Sequence, residues 1–504
     1  MLRGDIMQTK VRNYWSLYLD FLHDFKDLKY SGFSLPYLCH FSGLLRNNEE
    51  IHNKLSDNEF INQLKNKVNN QKMIQEAFDQ FIQSHTKPSI NKNKQGKVLL
   101  NFDTILRFPK ETFDDYFDPS KTMIIMAGNK NWKSKKKQSA SSNIENEKTE
   151  TTLNNTDIKR DVVENNEINN IPADYLSYYP IAGPEAVMQV KKKALDIFNS
   201  HKEHHLYKNI NFQNVFLAKI TEIIHRIEQT KFFLNNVSIS CIVVSNTHSF
   251  ISRILALVAA EKGIPTICMQ HGIIGNEFGF IPKVATVDAV YGNYEVDWYK
   301  KLGAPKESLE IIGHPRFDQA FKPPTIARSK FDKQLGLDKG KKTLLIVVRG
   351  NRNFGKWKIL IDTISKQLNL NILIKDFPND TPHALNKEFS FVHSTAAFDL
   401  YDILPNVDCV VSYTSTVALE AMLADKPVFI LHNKLPSYTG YYNALDELVQ
   451  IDPQKLGELV IRYFNDLSWG SHVKEIREEF LRYAYPDFSM SGERLKKLIY
   501  RMIS

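Results

Sequence analysis

Cysteine is scarce in this chain: four residues in 504, scattered rather than paired. That excludes a disulfide framework and a zinc site built from cysteine pairs. No His/Cys cluster has zinc-ligand spacing either. No apolar run is long enough to span a bilayer, and the most hydrophobic helical stretch is broken by Arg253. The N-terminus, MLRGDIMQTKVRNYW, lacks the apolar core of a signal peptide. There is no Gly-x-Gly-x-x-Gly fingerprint, no P-loop, and no Asp-x-Asp triplet to chelate a nucleotide-bound metal. No basic–aromatic pattern resembles an RNA-binding module. Heptads and internal repeats are absent. The expectation is a cytoplasmic chain with reduced thiols, no metal, no cofactor and no nucleic-acid partner.

What is present is an ordinary globular composition, 42% apolar, on a chain too long for one core. The formal charge of +8 suits anionic partners such as nucleotide diphosphates or phospholipid head groups. A merely lysine-rich surface accounts for it equally well.

The run from Cys241 to Gly272 is the most informative. Cys241–Val244 reads as a strand. Ser245 to Ser249 supplies turn and N-cap residues. Ile251, Ile254, Leu255 and Val258 recur at helical spacing, Gly263 and Pro265 stop the helix, and Thr266–Met269 starts a second strand. Two strands so joined are parallel and right-handed. Ligands bind outside the carboxyl ends of such strands, where Gln270, His271 and Gly272 would lie.

Residues 1–95 read as a mainly helical segment, with Trp15, Tyr18, Leu22 and Phe25 among the residues at helical spacing. Residues 96–322 are expected to form a Rossmann-like acceptor domain with strands at Lys97–Leu106 and Thr122–Ala127. It carries a disordered polar insertion at 129–172, whose basic run Lys133–Lys137 suits either an anionic membrane or solvent. Residues 323–480 read as a second Rossmann-like domain for the nucleotide donor. A C-terminal helix at 481–504 is expected to pack back on the first domain. The fold class is α/β, two parallel-sheet domains facing a cleft.

Several strand exits carry candidate chemistry. Arg349 and Arg352 flank Gly350 after a strand, where guanidinium forks suit phosphate oxygens; solvated loop arginines are the plain alternative. Ser412, Thr414, Ser415 and Thr416 precede an apolar helix, whose N-terminus forms an anion site, although one of them is simply its cap. Glu420, one turn in, is placed to accept ribose hydroxyls or to sit on a helix surface. His271 is a candidate general base or a hydrogen-bond donor to a phosphate; a satisfied structural histidine is the plain alternative. His248, Gln270, Gly272, His314 and Arg316 are expected to line the same cleft.

Taken in order, Gln270-His271-Gly272, Gly313-His314-Pro315-Arg316-Phe317-Asp318, the Arg349 loop, and Asp408 to Thr416 with Ala418-Leu419-Glu420-Ala421 resemble the GT-B-fold enzymes of bacterial surface polymers. The similarity is to teichoic-acid CDP-glycerol glycerophosphotransferases and to capsule or spore-coat polysaccharide transferases. It covers roughly Val237 to Leu431. The resemblance implies that His271 is the catalytic base, that Ser412 to Thr416 hold the donor phosphates, and that Arg349 or Arg352 stabilises the leaving group. The family's Arg/Lys-x-His-Pro segment corresponds here to Lys375-Asp376-Phe377-Pro378. The histidine is gone, which leaves Lys375 as the substitute charge.

The function expected is a metal-independent glycosyltransferase of cell-surface polysaccharide biosynthesis. It would move a sugar from a nucleotide-activated donor to a lipid-linked or polymeric saccharide, in the cytoplasm or peripherally on the inner membrane face. Three alternatives remain: a polyol-phosphate transferase, a non-hydrolysing nucleotide-sugar epimerase, and an inactive scaffold in a polymer-assembly complex.

Overall fold

The computed structural model describes residues 7–87, 93–103, 105–128, 167–376, 381–433, 437–487 and 490–504. The basic run Lys133–Lys137 and residues Phe377 and Pro378 lie outside them. A small hairpin, β1 (Lys29–Tyr30) with β2 (Phe33–Ser34), interrupts the N-terminal helices. The first large sheet contains β3 (Lys97–Asn101), β4 (Thr122–Met126), β5 (Glu167–Ile168), β6 (Ile171–Tyr175), β7 (Ile239–Val244), β8 (Thr266–Met269), β9 (Val287–Val290) and β10 (Leu309–Ile311). The second contains β11 (Thr343–Val348), β12 (Asn371–Asp376), β13 (Val392–Ser394), β14 (Cys409–Tyr413), β15 (Val428–Leu431) and β16 (Val449–Gln450).

The first sheet runs β10-β9-β8-β7-β3-β4-β6-β5, and the second β13-β12-β11-β14-β15-β16. Every pairing in them is parallel except β5 with β6. Central strands such as β7 and β11 are buried along their whole length, as parallel strands covered on both faces must be. The chain order reverses between β3 and β7 in one sheet and between β11 and β14 in the other. These two switch points are where open parallel sheets leave a crevice for ligands.

Two expectations need correction. The polar insertion does not extend to residue 172. Asn169 and Asn170 both take positive φ (+48° and +62°) and turn β5 back onto β6, which then pairs with β4. Asparagine tolerates the left-handed region, so a composition that reads as disorder also spells a two-residue hairpin turn. The strand expected over Lys97–Leu106 ends at Asn101. Asp103 Oδ1 accepts the backbone N–H groups of Ile105 and Leu106, both at 2.9 Å, and bends the chain out of the sheet.

The N-terminal helices are not a separate lobe. Helix Thr9–Asp24 sends Phe21 edge-on against Phe212 and Phe216 of helix Ile210–Asn236, within one apolar core. Buried Arg253 fastens the segment from the other side. Its guanidinium donates to the carbonyls of Thr247 (2.8 Å), Tyr37 (3.0 Å) and Cys39 (2.8 Å). The C-terminal helix Ser491–Ile503 packs Leu495, Leu498 and Ile499 against Leu100 and Ile124 of the first sheet. Gly313 sits beside this return path with φ +73°, and a Cβ there would strike the Tyr485 hydroxyl.

All four cysteines are buried thiols without a disulfide. Among the described residues no helix is long and apolar enough to cross a membrane, and no cluster of three or more His, Cys, Asp or Glu could hold a metal ion.

Arg253→Met should cost roughly 2–4 kcal/mol in urea unfolding, because it strands buried carbonyls that each carry a desolvation penalty. Arg253→Lys should recover part of that loss. A methionine variant as stable as the parent would show that Arg253 does not fasten the segment.

Candidate active site

Both switch points open onto one cleft. On the first-domain side three strand exits lie next to one another. The β3 exit is held by Asp103, whose Oδ2 accepts the Ser245 hydroxyl at 2.5 Å. It leads to Arg107, in the left-handed region with φ +48°. At the β7 exit, Asn246 Oδ1 accepts the Ser249 N–H (2.8 Å), which sets the start of helix Phe250–Glu261. His248 follows on that turn. The β8 exit carries Gln270, His271 and Gly272.

Gln270 is largely buried and lines a small cavity shared with His271 and Phe280. Its Nε2 donates to the Gly272 carbonyl and to Glu295 Oε1, both at 2.8 Å, while its Oε1 accepts the Tyr291 N–H at 3.3 Å. Glu295 also accepts the Gly292 N–H at the start of helix Asn293–Lys301, and burial raises its carboxyl to about 7. Gln270 therefore fixes the backbone that presents His271.

The His271 ring is partly exposed and stacks on Phe280, with centroids 4.8 Å apart and planes 10° from parallel. Burial, then the neighbouring His248 and Arg107, push it down to about 3, against a hydrogen bond with the Ser245 backbone. The imidazole is therefore held in its neutral form near pH 7. The loop bearing Phe280 is fixed from the N-terminal segment: Trp15 and Gln71 donate to the two Glu277 carboxylate oxygens, and Gln75 exchanges two hydrogen bonds with the Lys283 backbone.

On the second-domain side, β14 ends in Tyr413 and helix Thr416–Leu423 begins. Thr416 Oγ1 accepts the Ile273 N–H at 3.1 Å, and a Cβ on Gly272 would sit 3.0 Å from the same oxygen. The glycine thus permits a strand exit of one domain to abut a helix N-terminus of the other. Ser412 is fully buried, its hydroxyl 3.1 Å from that of Ser415 and donating to the Tyr413 carbonyl. Thr414 Oγ1 is 2.9 Å from His432 Nδ1. The β11 exit exposes Arg349 and Arg352 on a loop pinned by Asp376, which accepts the Gly350 N–H at 2.7 Å. Arg349 and Arg107 both act electrostatically on Tyr413, and Arg107 acts on His271 as well, so guanidinium groups reach the cleft from both domains.

Four expected site residues are placed differently. His314 is buried; its Nδ1 accepts the Arg316 N–H at 3.1 Å, its other nitrogen bonds the Leu106 backbone, and burial drives it far toward the neutral form. It shapes the turn. Arg316 and Glu420 pair across the domains, Nε to Oε1 at 3.2 Å, and Tyr401 donates to the same oxygen at 2.8 Å. Glu420 is thus a buried interdomain acid whose Oε1 is already engaged, rather than a surface group turned to a ribose. Lys375 is buried and donates to the Phe398 carbonyl at 2.7 Å, so its ammonium is engaged inside the second domain. Sequence reading missed Arg107 because it extended β3 through Leu106. A cation just past the first strand of a parallel sheet was the available signal. It also missed His40, whose ring lies 5.2 Å from that of His248.

Two switch points facing each other across a cleft is the GT-B arrangement. No family model matches the chain, and comparison with curated proteins finds none similar. Among solved structures it is similar to UDP-GlcNAc 2-epimerase from Neisseria meningitidis bound to UDP-GlcNAc, at 11% identity and TM-score 0.49, over 81% of this chain and 99% of that one. It is similar to the wall teichoic acid polymerase TagF at 13% identity and TM-score 0.43, over 92% and 97% of the two chains. A third is Anabaena HepE in complex with UDP and glucose, at 12% identity and TM-score 0.43, over 81% and 100%. At such identities no residue role transfers.

His40, His248 and His271 all have folded values of about 3 to 4, below the ordinary imidazole value of 6.5. The unfolded chain therefore binds more protons between those limits, and stability falls as pH drops below 6.5. Urea unfolding at pH 7.5, 6 and 5 should show this fall. His248→Gln should flatten it by up to about 1.4 kcal/mol per pH unit. An unchanged slope would refute the burial of a neutral ring there.

Proposed function

We propose that this chain is a glycosyltransferase of cell-surface polysaccharide assembly, taking a nucleotide-activated sugar and a lipid-linked or polymeric saccharide acceptor. The observation that carries the reading is the contact between the His271-Gly272 exit of one sheet and the N-terminus of helix Thr416–Leu423 in the other. It supports a reading in which His271 serves a donor whose diphosphate is held at the N-terminus of that helix, as displacement of a nucleoside diphosphate requires.

In this mechanism the donor diphosphate lies between the Arg349 loop and the N–H groups that open helix Thr416–Leu423. Ser415 and Thr416 flank those groups, and Arg352 extends the positive loop. A phosphate oxygen about 5 Å from a guanidinium gains about 3 kcal/mol per unit-charge pair at an effective dielectric constant near 20. The acceptor hydroxyl approaches from the first domain. His271 takes its proton as the oxygen bonds to the anomeric carbon. The bond from that carbon to the diphosphate breaks, and the leaving charge passes to the arginines and the helix terminus. One displacement inverts the anomeric centre.

The donor also tunes the base. An imidazole held near 3 is a weak acceptor, and restoring ordinary basicity takes a few kcal/mol. A diphosphate within about 5 Å supplies an interaction of that size. His271 thus becomes an effective base when the donor is bound, which suppresses acceptor-independent hydrolysis. The reaction belongs at the cytoplasmic face of the membrane, where nucleotide-activated donors and lipid-linked acceptors meet.

The test is nucleotide release from UDP-, GDP-, CDP- and CMP-activated donors, with and without a membrane-derived acceptor fraction. Release should require acceptor. His271→Ala should lower it at least 100-fold while donor affinity changes less than threefold. Near-normal turnover of the alanine variant would remove the base assignment, and conversion of donor alone would indicate an epimerase.

A further inference from the structure

Three imidazoles stand in file along the first-domain wall. The His271 and His248 rings are 5.3 Å apart, and those of His248 and His40 are 5.2 Å apart. All three are partly exposed. His40 comes from the N-terminal segment, and its Nε2 lies 2.7 Å from the Ser42 hydroxyl. Sugar transfer at the donor site does not use His40, Ser42 or His248.

The charged groups that act most strongly on these rings are cations from every element around them. Arg46 comes from the loop that carries His40, Lys219 from helix Ile210–Asn236, Arg253 from helix Phe250–Glu261, and Arg107 from the β3 exit. Lys219 is paired with Glu222 at 2.5 Å, and Arg253 is buried among carbonyls. Arg46 is exposed. Burial and these cations keep the rings neutral. No group of three or more His, Cys, Asp or Glu among the described residues could hold a metal ion, and neutral imidazoles backed by positive charge suit an anion that draws protons onto the rings as it binds.

We propose that His40, His248 and His271, with Ser42 and Arg46, form a track for a phosphate or diphosphate group of the acceptor, which sets the acceptor hydroxyl beside the base. The proposal rests on the transferase reading for the identity of that ligand as an acceptor. It gives the N-terminal helices a role in substrate selection as well as in fastening the Phe280 loop.

Inorganic pyrophosphate is the probe, titrated calorimetrically into full-length Arg349→Ala/Arg352→Ala protein so that the donor side does not compete. Titration at pH 6.5 in two buffers of different ionisation enthalpy should show net proton uptake by the protein once the probe's own protonation change is subtracted. Affinity should weaken about tenfold at pH 8. Adding His40→Gln should weaken it at least fivefold and reduce the uptake. Ser42→Ala, a milder change, should weaken it as well, with thermal melts confirming both folds. Geranyl diphosphate binding more tightly than pyrophosphate would identify a lipid-borne diphosphate, and equal binding would identify a phosphate of the polymer. Absent binding, absent proton uptake, or indifference to both His40→Gln and Ser42→Ala would overturn the proposal. Nucleotide titration of the parent protein reads the donor side separately. Nucleotide binding with a silent track sinks this inference alone, and pyrophosphate binding without nucleotide binding sinks the donor assignment alone.

Discussion

The site depends on one close approach, the Gly272 backbone against Thr416 Oγ1. Each sheet by itself offers only a switch-point crevice with part of the chemistry. The first sheet holds an imidazole and Arg107; the second holds Arg349 and a helix N-terminus. Their approach is favoured by the lack of a side chain at 272, where a Cβ would crowd Thr416 Oγ1 at 3.0 Å, and by the hydroxyl acceptor at 416. The neighbouring contacts follow the same seam: Tyr294 donates to the Thr439 carbonyl at 2.6 Å, Thr439 donates to the Ile274 carbonyl, and Asn276 bridges to Tyr438. The Arg316–Glu420 pair closes it from another side. The desolvation of a buried ion pair offsets much of its attraction, so this contact is weak evidence for stability by itself.

The N-terminal segment makes that geometry rigid. Without Trp15, Gln71 and Gln75 the stretch from Ile273 to Ala285 would be a long loop with few internal bonds, and Phe280 would not be held flat against His271. Arg253 performs the matching task at the β7 exit, where it ties Thr247 to the Tyr37–Cys39 turn. Such preorganisation by surrounding contacts is what the base proposed at His271 would need to act without reorganising.

Much of the fold was legible in the sequence. The strand–turn–helix–strand unit from Cys241 to Met269 was readable because apolar runs of strand length alternate with a helical stripe and its punctuation. So were the exits bearing His271, Arg349 and Ser415, since their place at strand ends follows from parallel topology. Partner choice was not legible. Whether Glu420 faces solvent or Arg316, and whether Lys375 faces the cleft or the Phe398 carbonyl, depends on contacts between residues distant in sequence. Local patterns also misled where one residue type serves two purposes, as with the asparagines that form the β5–β6 turn inside a polar stretch. Arg107 was hidden because Phe102, Ile105 and Leu106 extend an apolar-rich stretch past the true end of β3 at Asn101.

The most direct test of the central claim, an anion site for the donor on the second domain facing His271, is calorimetric titration of UDP, GDP, CDP and CMP into the parent protein and into Arg349→Ala. The account predicts that one nucleotide binds clearly better than the rest and that its affinity falls at least tenfold in the variant. Equal affinity in both proteins, or no binding of any of the four, would contradict it.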